Sequence, residues 1–239
     1  MWQDNVDVKN FNRTFNEANT YCSDLTLGGY SDWKLPNIDI LFTYINHSQI
    51  RPHYSIFQNQ PASYMWSSTK SPNSSKIWTL EEVSEILLDD TTLNDFNYVR
   101  CIRNDKVIKQ VYVRDNTKEV VLDTTSNLVW QDNADAKDIT KDWHEALSYC
   151  NDLSLSGYNN WRLPNINELF SLVDHNNYKP AISKEFKNVY NSGNEIYWSS
   201  TTSSDGSAWI EGIEFVHGDH TWRTPRTHQK HLRCVHDIE

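Results

Sequence analysis

Hydrophobic positions recur with helical spacing in two stretches of the chain, at an offset of 128 residues from Phe15 to Trp143. The two apolar faces consist of Phe15, Ala18, Cys22 and Leu25, and of Trp143, Ala146, Cys150 and Leu153. Each stretch opens with a capping box, in which a Thr or Asp is followed three residues later by Glu. The pattern predicts one amphipathic helix in each half of the chain, with its cysteine facing a core.

A second helix is predicted in each half directly after a Leu-Pro-Asn phrase. Pro36 and Pro164 disfavour helix at the residue before them, and Asn37 and Asn165 are typical N-cap residues. This helix would carry Ile38, Leu41, Phe42 and Ile45, or Ile166, Leu169, Phe170 and Val173. Short runs rich in Ser, Thr, Trp and Tyr follow and predict strands. Each half is therefore predicted to be an α+β module, with two helices packed on a small antiparallel sheet.

The two halves are predicted to be copies of one module. Residues 21–42 match residues 149–170 at 14 of 22 positions, Trp66 answers Trp198, and Trp78 falls near Trp209. We therefore predict two domains, at residues 1–105 and 106–239. A strand-like segment (111–130) leads into copy two but not into copy one. We expect from this that an N-terminal strand and an export signal have been trimmed from copy one.

Four cysteines occupy matching places, one on each first helix and one in each last predicted strand. The even count, matched positions and wide spacing favour two disulfides, Cys22–Cys101 and Cys150–Cys234. Buried free thiols in a cytosolic protein remain an alternative. Metal ligation is another, although the chain has no Cys-x-x-Cys pair. Disulfides would indicate the periplasm, the cell surface or the medium.

Composition narrows the classes of partner. The net charge of −10 argues against a nucleic-acid ligand, because phosphate binding needs clustered positive charge. The chain has no apolar run of the length that a membrane span requires. Ten Trp residues would supply core packing, and some could stack on sugars or on a partner.

A set of motifs in copy two recurs in altered form in copy one: Tyr-Cys, Gly-Tyr, Trp-Arg-Leu-Pro-Asn, Tyr-Trp-Ser-Ser-Thr and Arg-Cys-Val. Together they resemble the bacterial family named after the C-terminal domain of the Legionella collagen-like protein. The resemblance covers about Leu128 to Val235 and Trp2 to Ile102. Trp-Arg-Leu-Pro also occurs in the formylglycine-generating family, which has a C-type-lectin-like fold. The resemblance implies two tandem C-type-lectin-like domains, a fold that commonly ties its first helix to its last strand by a disulfide.

What the resemblance implies about function is recognition at or beyond the cell surface, with attachment to acidic or sulfated polysaccharide. Copy one departs from the family pattern at Lys34, where Arg is usual, and at Ile40, where copy two has Glu168. This departure suggests that copy one is kept for architecture. Three alternatives stay open: an enzyme related to the formylglycine-generating family, a protein-binding assembly module, and a ligand-binding protein with hypervariable loops.

The repeated aromatic and proline phrase is predicted to be structural. The residues assigned this role are Trp33, Pro36 and Trp66 in copy one and Trp161, Pro164 and Trp198 in copy two. The Ser-Ser-Thr runs at 67–69 and 199–201 lack an accompanying base or nucleophile-elbow pattern. We therefore predict neither catalytic residues nor a cofactor.

Ligand binding is assigned to the late segments, where the copies diverge most. Residues 81–96 are acidic in copy one, whereas residues 217–233 are basic in copy two. The candidate ligand-binding residues are Trp222, Arg223, Arg226, His228, Lys230 and His231. Cations would contact an anionic glycan while the indole stacks on a sugar face. Such binding should weaken with salt and strengthen below about pH 6.5.

Two other interpretations of the basic segment remain, one without any function and one as a metal site. Its charges could be idle in solvent. Its two His-x-x-His motifs, at 217/220 and 228/231, could instead hold a metal ion, although this spacing is weakly specific on a strand or loop.

Overall fold

The computed structural model describes residues 1–45, 57–61, 63–81, 86–104, 110–193, 195–202 and 209–238, with backbone only at 86, 88–90 and 221–223. Its internal contacts divide the chain into two units, Met1–Val107 (unit one) and Ile108–Glu239 (unit two). The predicted α+β class is confirmed in both.

Unit one contains three helices and five strands in its described part. The helices are α1 (Asp7–Asn10), α2 (Phe15–Asp24) and α3 (Ile38–Phe42). The strands are β1 (Asn12–Arg13), β2 (Tyr64–Lys70), β3 (Ile77–Glu81), β4 (Ile86–Thr91) and β5 (Asn97–Tyr98). They form one sheet in the order β1-β5-β2-β3-β4.

Unit two repeats this plan and adds a second sheet. Its helices are α4 (Asp135–Asp138), α5 (Trp143–Asp152) and α6 (Ile166–Phe170). Its strands are β6 (Tyr112–Asp115), β7 (Val120–Asp123), β8 (Leu128–Gln131), β9 (Thr140–Lys141), β10 (Ile196–Thr202), β11 (Trp209–Glu214), β12 (Asp219–Pro225), β13 (Lys230–His231) and β14 (Val235–Asp237). The two sheets have the orders β12-β11-β10-β13-β9 and β14-β8-β7-β6.

The helix starts follow from local capping chemistry. Thr14 with Glu17 and Asp142 with Glu145 form the predicted capping boxes of α2 and α5. Asn37 caps α3 by accepting a hydrogen bond from the backbone N–H of Ile40, which satisfies a donor that the first helical turn leaves open. The second helix is shorter than its apolar pattern predicts. In unit one it ends at Phe42, and Ile45 is buried although it lies beyond the helix.

The main sheets are not wholly antiparallel. In each, the short strand before the second cysteine runs parallel to the central strand: Tyr98 lies beside Met65 and His231 beside Tyr197. The chain therefore returns to the middle of its sheet before it reaches the cysteine. This pairing fixes the point at which the preceding loop re-enters the sheet.

Both predicted disulfides are present, Cys22–Cys101 and Cys150–Cys234. Each joins the first long helix to the segment after the last strand of the main sheet, and all four cysteines are fully buried. The core around each bridge is formed by matched residues: Phe15, Ala18, Trp33, Leu35 and Trp66 in unit one, and Trp143, Ala146, Trp161, Leu163 and Trp198 in unit two.

Trp78 falls near Trp209 in the alignment of the two units, but the two do not occupy the same position. Trp66 lies opposite Thr79, and Trp198 lies opposite Gly212, so Trp78 corresponds to Glu211. Trp78 is fully buried, whereas Trp209 is 37% exposed. The register that hydrogen bonding imposes, rather than a one-letter match in a short strand, fixes this correspondence.

Candidate functional site

The Ser-Ser-Thr runs fasten the central strand to the start of the second helix. In unit two, the Ser200 N–H donates to the Pro164 carbonyl at 2.7 Å, and the Ile166 N–H donates to Thr201 Oγ1 at 2.9 Å. Ser199 Oγ donates to the carbonyl of Glu211 at 2.8 Å. Unit one repeats all three bonds through residues 67–69. The hydroxyls of Ser67 and Ser199 are thus engaged with the backbone, which is a structural use.

The matched tryptophans are also held by backbone groups. Trp66 Nε1 donates to the carbonyl of Arg13 at 2.7 Å, and Trp198 Nε1 donates to that of Lys141 at 2.9 Å. Both indoles are fully buried. Each one therefore fixes the first short strand of its unit against the central strand.

A buried arginine beside the second cysteine forms a hub that the sequence interpretation missed. Arg233 donates through Nη1 to the Gln131 carbonyl at 2.5 Å and to Asp132 Oδ1 at 2.8 Å. It also donates through Nη2 to the Asn188 carbonyl at 2.5 Å. Burial lowers the pKa of Arg233, but the carboxylate of Asp132 supplies a countercharge.

Unit one has the same hub around Arg100. Its guanidinium donates to the carbonyls of Gln3 and Asn59 and lies 3.5 Å from Asp4 Oδ1. The signal for this hub was present in the sequence, since Trp-Gln-Asp and Arg-Cys both occur at matching places in the two copies. What the sequence does not show is that these distant motifs meet.

The structure separates the six candidate ligand-binding residues. The segment between β12 and β13 (residues 226–229), called here the late loop of unit two, contains an exposed His228 and a half-buried Arg226. The guanidinium of Arg226 lies 4.9 Å from the centroid of the Trp143 ring. The backbone of Trp222 and Arg223 lies on β12, and their side chains lie outside the described part.

Lys230 and His231 are less available than the charge pattern suggests. Lys230 Nζ donates to Glu195 Oε2 at 2.7 Å, so this charge has a partner. His231 is only 4% exposed and is stacked on Tyr190 and Tyr197, with centroids 4.3 and 5.4 Å away. Burial lowers the pKa of His231. The expectation that all six side chains form one exposed patch therefore needs correction at His231.

The His-x-x-His motifs do not bring their histidines to one point. His217 Nδ1 lies 3.1 Å from Glu214 Oε2, and the buried His220 lies 3.1 Å from Glu211 through Nε2. Within the described ranges, the group with donor atoms close enough for a metal ion is Glu214, His217 and Asp219, all within 4.8 Å. Glu214 already accepts from the backbone N–H groups of Val216 and His217, at 2.6 and 2.9 Å. These bonds give it a role in closing the turn.

Arg162, which is Lys34 in copy one, connects the second helix of unit two to Asp237 on β14. Arg162 donates two hydrogen bonds to Glu168, at 2.7 and 2.8 Å, and two to Asp237, both at 2.8 Å. These bonds raise the pKa of Arg162. Unit one instead pairs Arg103 with Asp32 at 2.6 Å. The substitution at Lys34 is thus accompanied by a different surface pairing.

An open groove lies along α5 in unit two, with a volume of about 660 Å³. Tyr149 lines it, and Asp135, Glu145 and Asp152 supply carboxylates. The Tyr149 hydroxyl donates to Asp135 Oδ2 at 2.6 Å. Burial raises the pKa of Tyr149, and this hydrogen bond raises it further. We call this feature the Tyr149 groove.

The duplicated plan and its matched bonds agree with the comparison to known families. The model of the Lcl C-terminal domain matches residues 1–103 and again residues 119–236. The chain belongs to the Lcl C-terminal domain family. No curated protein sequence matches it.

In this Lcl C-terminal domain protein, each family match contains one buried arginine hub and one disulfide. The predicted resemblance and the tandem arrangement are therefore confirmed. The hairpin strand β6 (Tyr112–Asp115) precedes the second match. Within the described ranges, no helix has the length and apolar character of a membrane span.

Proposed function

We propose that this chain is a non-catalytic recognition protein of the cell surface, periplasm or medium, which binds anionic polysaccharide through the late loop of unit two. The observation that carries the proposal is that equivalent loops on matched scaffolds carry unlike side chains, basic in unit two and apolar or acidic in unit one. Arg226 and His228 in unit two stand where unit one has Leu93 and Asp95.

The two loops are equivalent because the same backbone bonds hold them. The N–H of the first residue of the long helix donates to the loop: Trp143 to the Arg226 carbonyl at 2.9 Å, and Phe15 to the Leu93 carbonyl at 3.2 Å. Within each loop, one further N–H closes the same turn, from His228 to Pro225 and from Asp95 to Thr92. A shared backbone with unlike side chains favours recognition as the reason for the divergence.

Two observations support a non-catalytic role and an exported location. Both cysteine pairs are oxidised in the structure, which favours an oxidising compartment and leaves no described thiol for chemistry of the formylglycine-generating type. The hydroxyls of the repeated Ser67 and Ser199 donate to backbone carbonyls. A C-type-lectin-like architecture is part of this proposal, because folds of that type commonly bind their ligands through the late loops.

The test is retention on immobilised heparin, with Arg226→Gln compared with Lys118→Gln, so that each variant removes one positive charge. Lys118 is an exposed cation on the β6–β7 turn, so this control removes charge elsewhere. We expect the loop variant to elute at clearly lower salt and the control to elute as the wild type does, since contacts with anionic groups are screened by salt. Equal elution of all three proteins would overturn the proposal.

A second candidate function, protein-protein assembly, is favoured by the late loop of unit one (residues 92–96). Leu93 and Phe96 are 38% and 64% exposed, and exposed large apolar residues close together are typical of contact surfaces. A defined oligomer in solution that Phe96→Ser dissociates, together with no heparin retention, would favour this function over the first.

A further inference from the structure

The Tyr149 groove has a counterpart in unit one that is already filled by a side chain of the same unit. There, the guanidinium carbon of Arg13 lies 3.7 Å from the centroid of the Tyr21 ring. The Tyr21 hydroxyl donates to Asp7 Oδ2 at 2.9 Å and accepts from Gln3 Nε2 at 2.7 Å. A planar cation stacked on an aromatic face beside a carboxylate is a favourable arrangement.

Unit two keeps the tyrosine and its hydrogen-bond partners but has a lysine in place of the arginine. The Tyr149 hydroxyl donates to Asp135 and accepts from Gln131 Nε2 at 3.2 Å, which reproduces the bonds of Tyr21. The residue that corresponds to Arg13 is Lys141, and its ammonium nitrogen lies 5.8 Å from the ring centroid. A compact ammonium at that distance does not cover the ring face as the guanidinium of Arg13 does.

The charge around the groove selects the same class of ligand. Asp135, Glu145 and Asp152 line it together with the single lysine, Lys141. Carboxylates therefore outnumber ammonium groups, which favours a cation over the polyanion proposed for the late loop. The groove volume of about 660 Å³ suits a side chain with part of its backbone, and is far larger than a single ion needs.

We propose that the Tyr149 groove binds the guanidinium group of an arginine side chain on a partner protein. The arginine lies over the Tyr149 ring, as Arg13 lies over Tyr21, and its charge faces Asp135. None of the residues that line the groove belongs to the late loop, although Lys141 pairs with Lys230 beside that loop. The proposal therefore does not rest on polysaccharide binding.

The test uses the full chain and a short blocked peptide, acetyl-Gly-Arg-Gly-amide, with the citrulline peptide as a neutral isostere. Binding is followed by the amide ¹H and ¹⁵N chemical shifts of the ¹⁵N-labelled protein during peptide titration. We expect saturable binding of the arginine peptide and at least tenfold weaker binding of the citrulline peptide. Equal binding of the two peptides, or no binding of either, would overturn the proposal.

Two reciprocal variants locate the site. Lys141→Arg supplies the side chain that unit one uses, so it should fill the groove and weaken peptide binding about tenfold. Arg13→Lys should open the corresponding surface of unit one and raise the number of bound peptides from one to two. Both changes keep the net charge, so heparin retention should not move, and an unchanged melting temperature excludes unfolding as the cause. Unaltered peptide binding in Lys141→Arg would contradict the proposal.

Discussion

Asp132 and Arg233 form a fully buried ion pair, with 2.8 Å between the carboxylate Oδ1 and the guanidinium Nη1. Asp132 also accepts hydrogen bonds from the backbone N–H groups of Lys187 and Asn188, at 2.8 and 3.1 Å. The pair therefore connects the end of β8, the loop before β10 and the residue next to Cys234. Three segments far apart in sequence depend on it.

Replacing Arg233 by Met should destabilise unit two by about 3 kcal/mol, because the carbonyls of Gln131 and Asn188 lose their buried donor while Asp132 keeps its ion pair with Arg114. Urea denaturation followed by tryptophan fluorescence measures the change. The matched control is Arg103→Met, which removes a cation from a pair with the exposed Asp32 and should cost less than about 1 kcal/mol. Equal losses in the two variants would contradict the role assigned to the hub.

Replacing either disulfide by two alanines should lower the free energy of unfolding by about 4 kcal/mol in the chain-entropy model. The two effects should be similar, because the bridges span 79 and 84 residues. Denaturation of the Cys22→Ala/Cys101→Ala and Cys150→Ala/Cys234→Ala proteins tests this. Titration of the unfolded wild type under non-reducing conditions should find no free thiol, and finding four would refute both bridges.

The stability of unit two should fall as the pH drops from about 7 to 5 through the contribution of His231. Burial lowers the pKa of His231 in the folded protein, so the unfolded chain binds a proton at a higher pH than the fold does. His231→Phe keeps a ring between Tyr190 and Tyr197 but cannot titrate. Its free energy of unfolding should show a shallower dependence on pH over this range, and identical slopes would contradict the prediction.

The buried Glu211–His220 pair stands where unit one has the buried apolar residues Trp78 and Leu87. Breaking such a pair leaves one polar group without its partner, whereas removing both groups can be nearly neutral. The loss of unfolding free energy in the Glu211→Met/His220→Leu double variant should therefore be smaller than the sum of the losses in the two single variants. A double-mutant cycle in urea measures the coupling, which should exceed about 0.5 kcal/mol. Additive single effects would show that the two side chains do not interact.

The local parts of the fold could be predicted from the sequence, and the long-range parts could not. The caps at Thr14 and Asn37 depend on neighbours three residues away, so a linear pattern contains them. The parallel pairing of His231 with Tyr197 joins positions 34 residues apart, and no periodicity encodes it. That pairing buries His231, which is why a residue that looks like part of a basic surface is a core residue.

The candidate site shows the same division. The divergence of the late segments identified where recognition is proposed, because loops tolerate change that a core does not. The Tyr149 groove could not be predicted, because Tyr149, Asp135 and Gln131 match Tyr21, Asp7 and Gln3 of copy one and therefore look structural. The exchange of Arg13 for Lys141 is visible in the sequence, but its effect on the tyrosine face is seen only in the distances of the two cations from their rings.

The bridge between Cys150 and Cys234 encloses the late loop of unit two, just as that between Cys22 and Cys101 encloses the loop of unit one. A protease that cuts either loop would release no fragment, because the two pieces would stay covalently joined. A nicked molecule would still travel as a single chain on a gel until reductant is added. The loops can thus be exposed to proteases, because a single cleavage within either loop does not separate the two pieces of its unit.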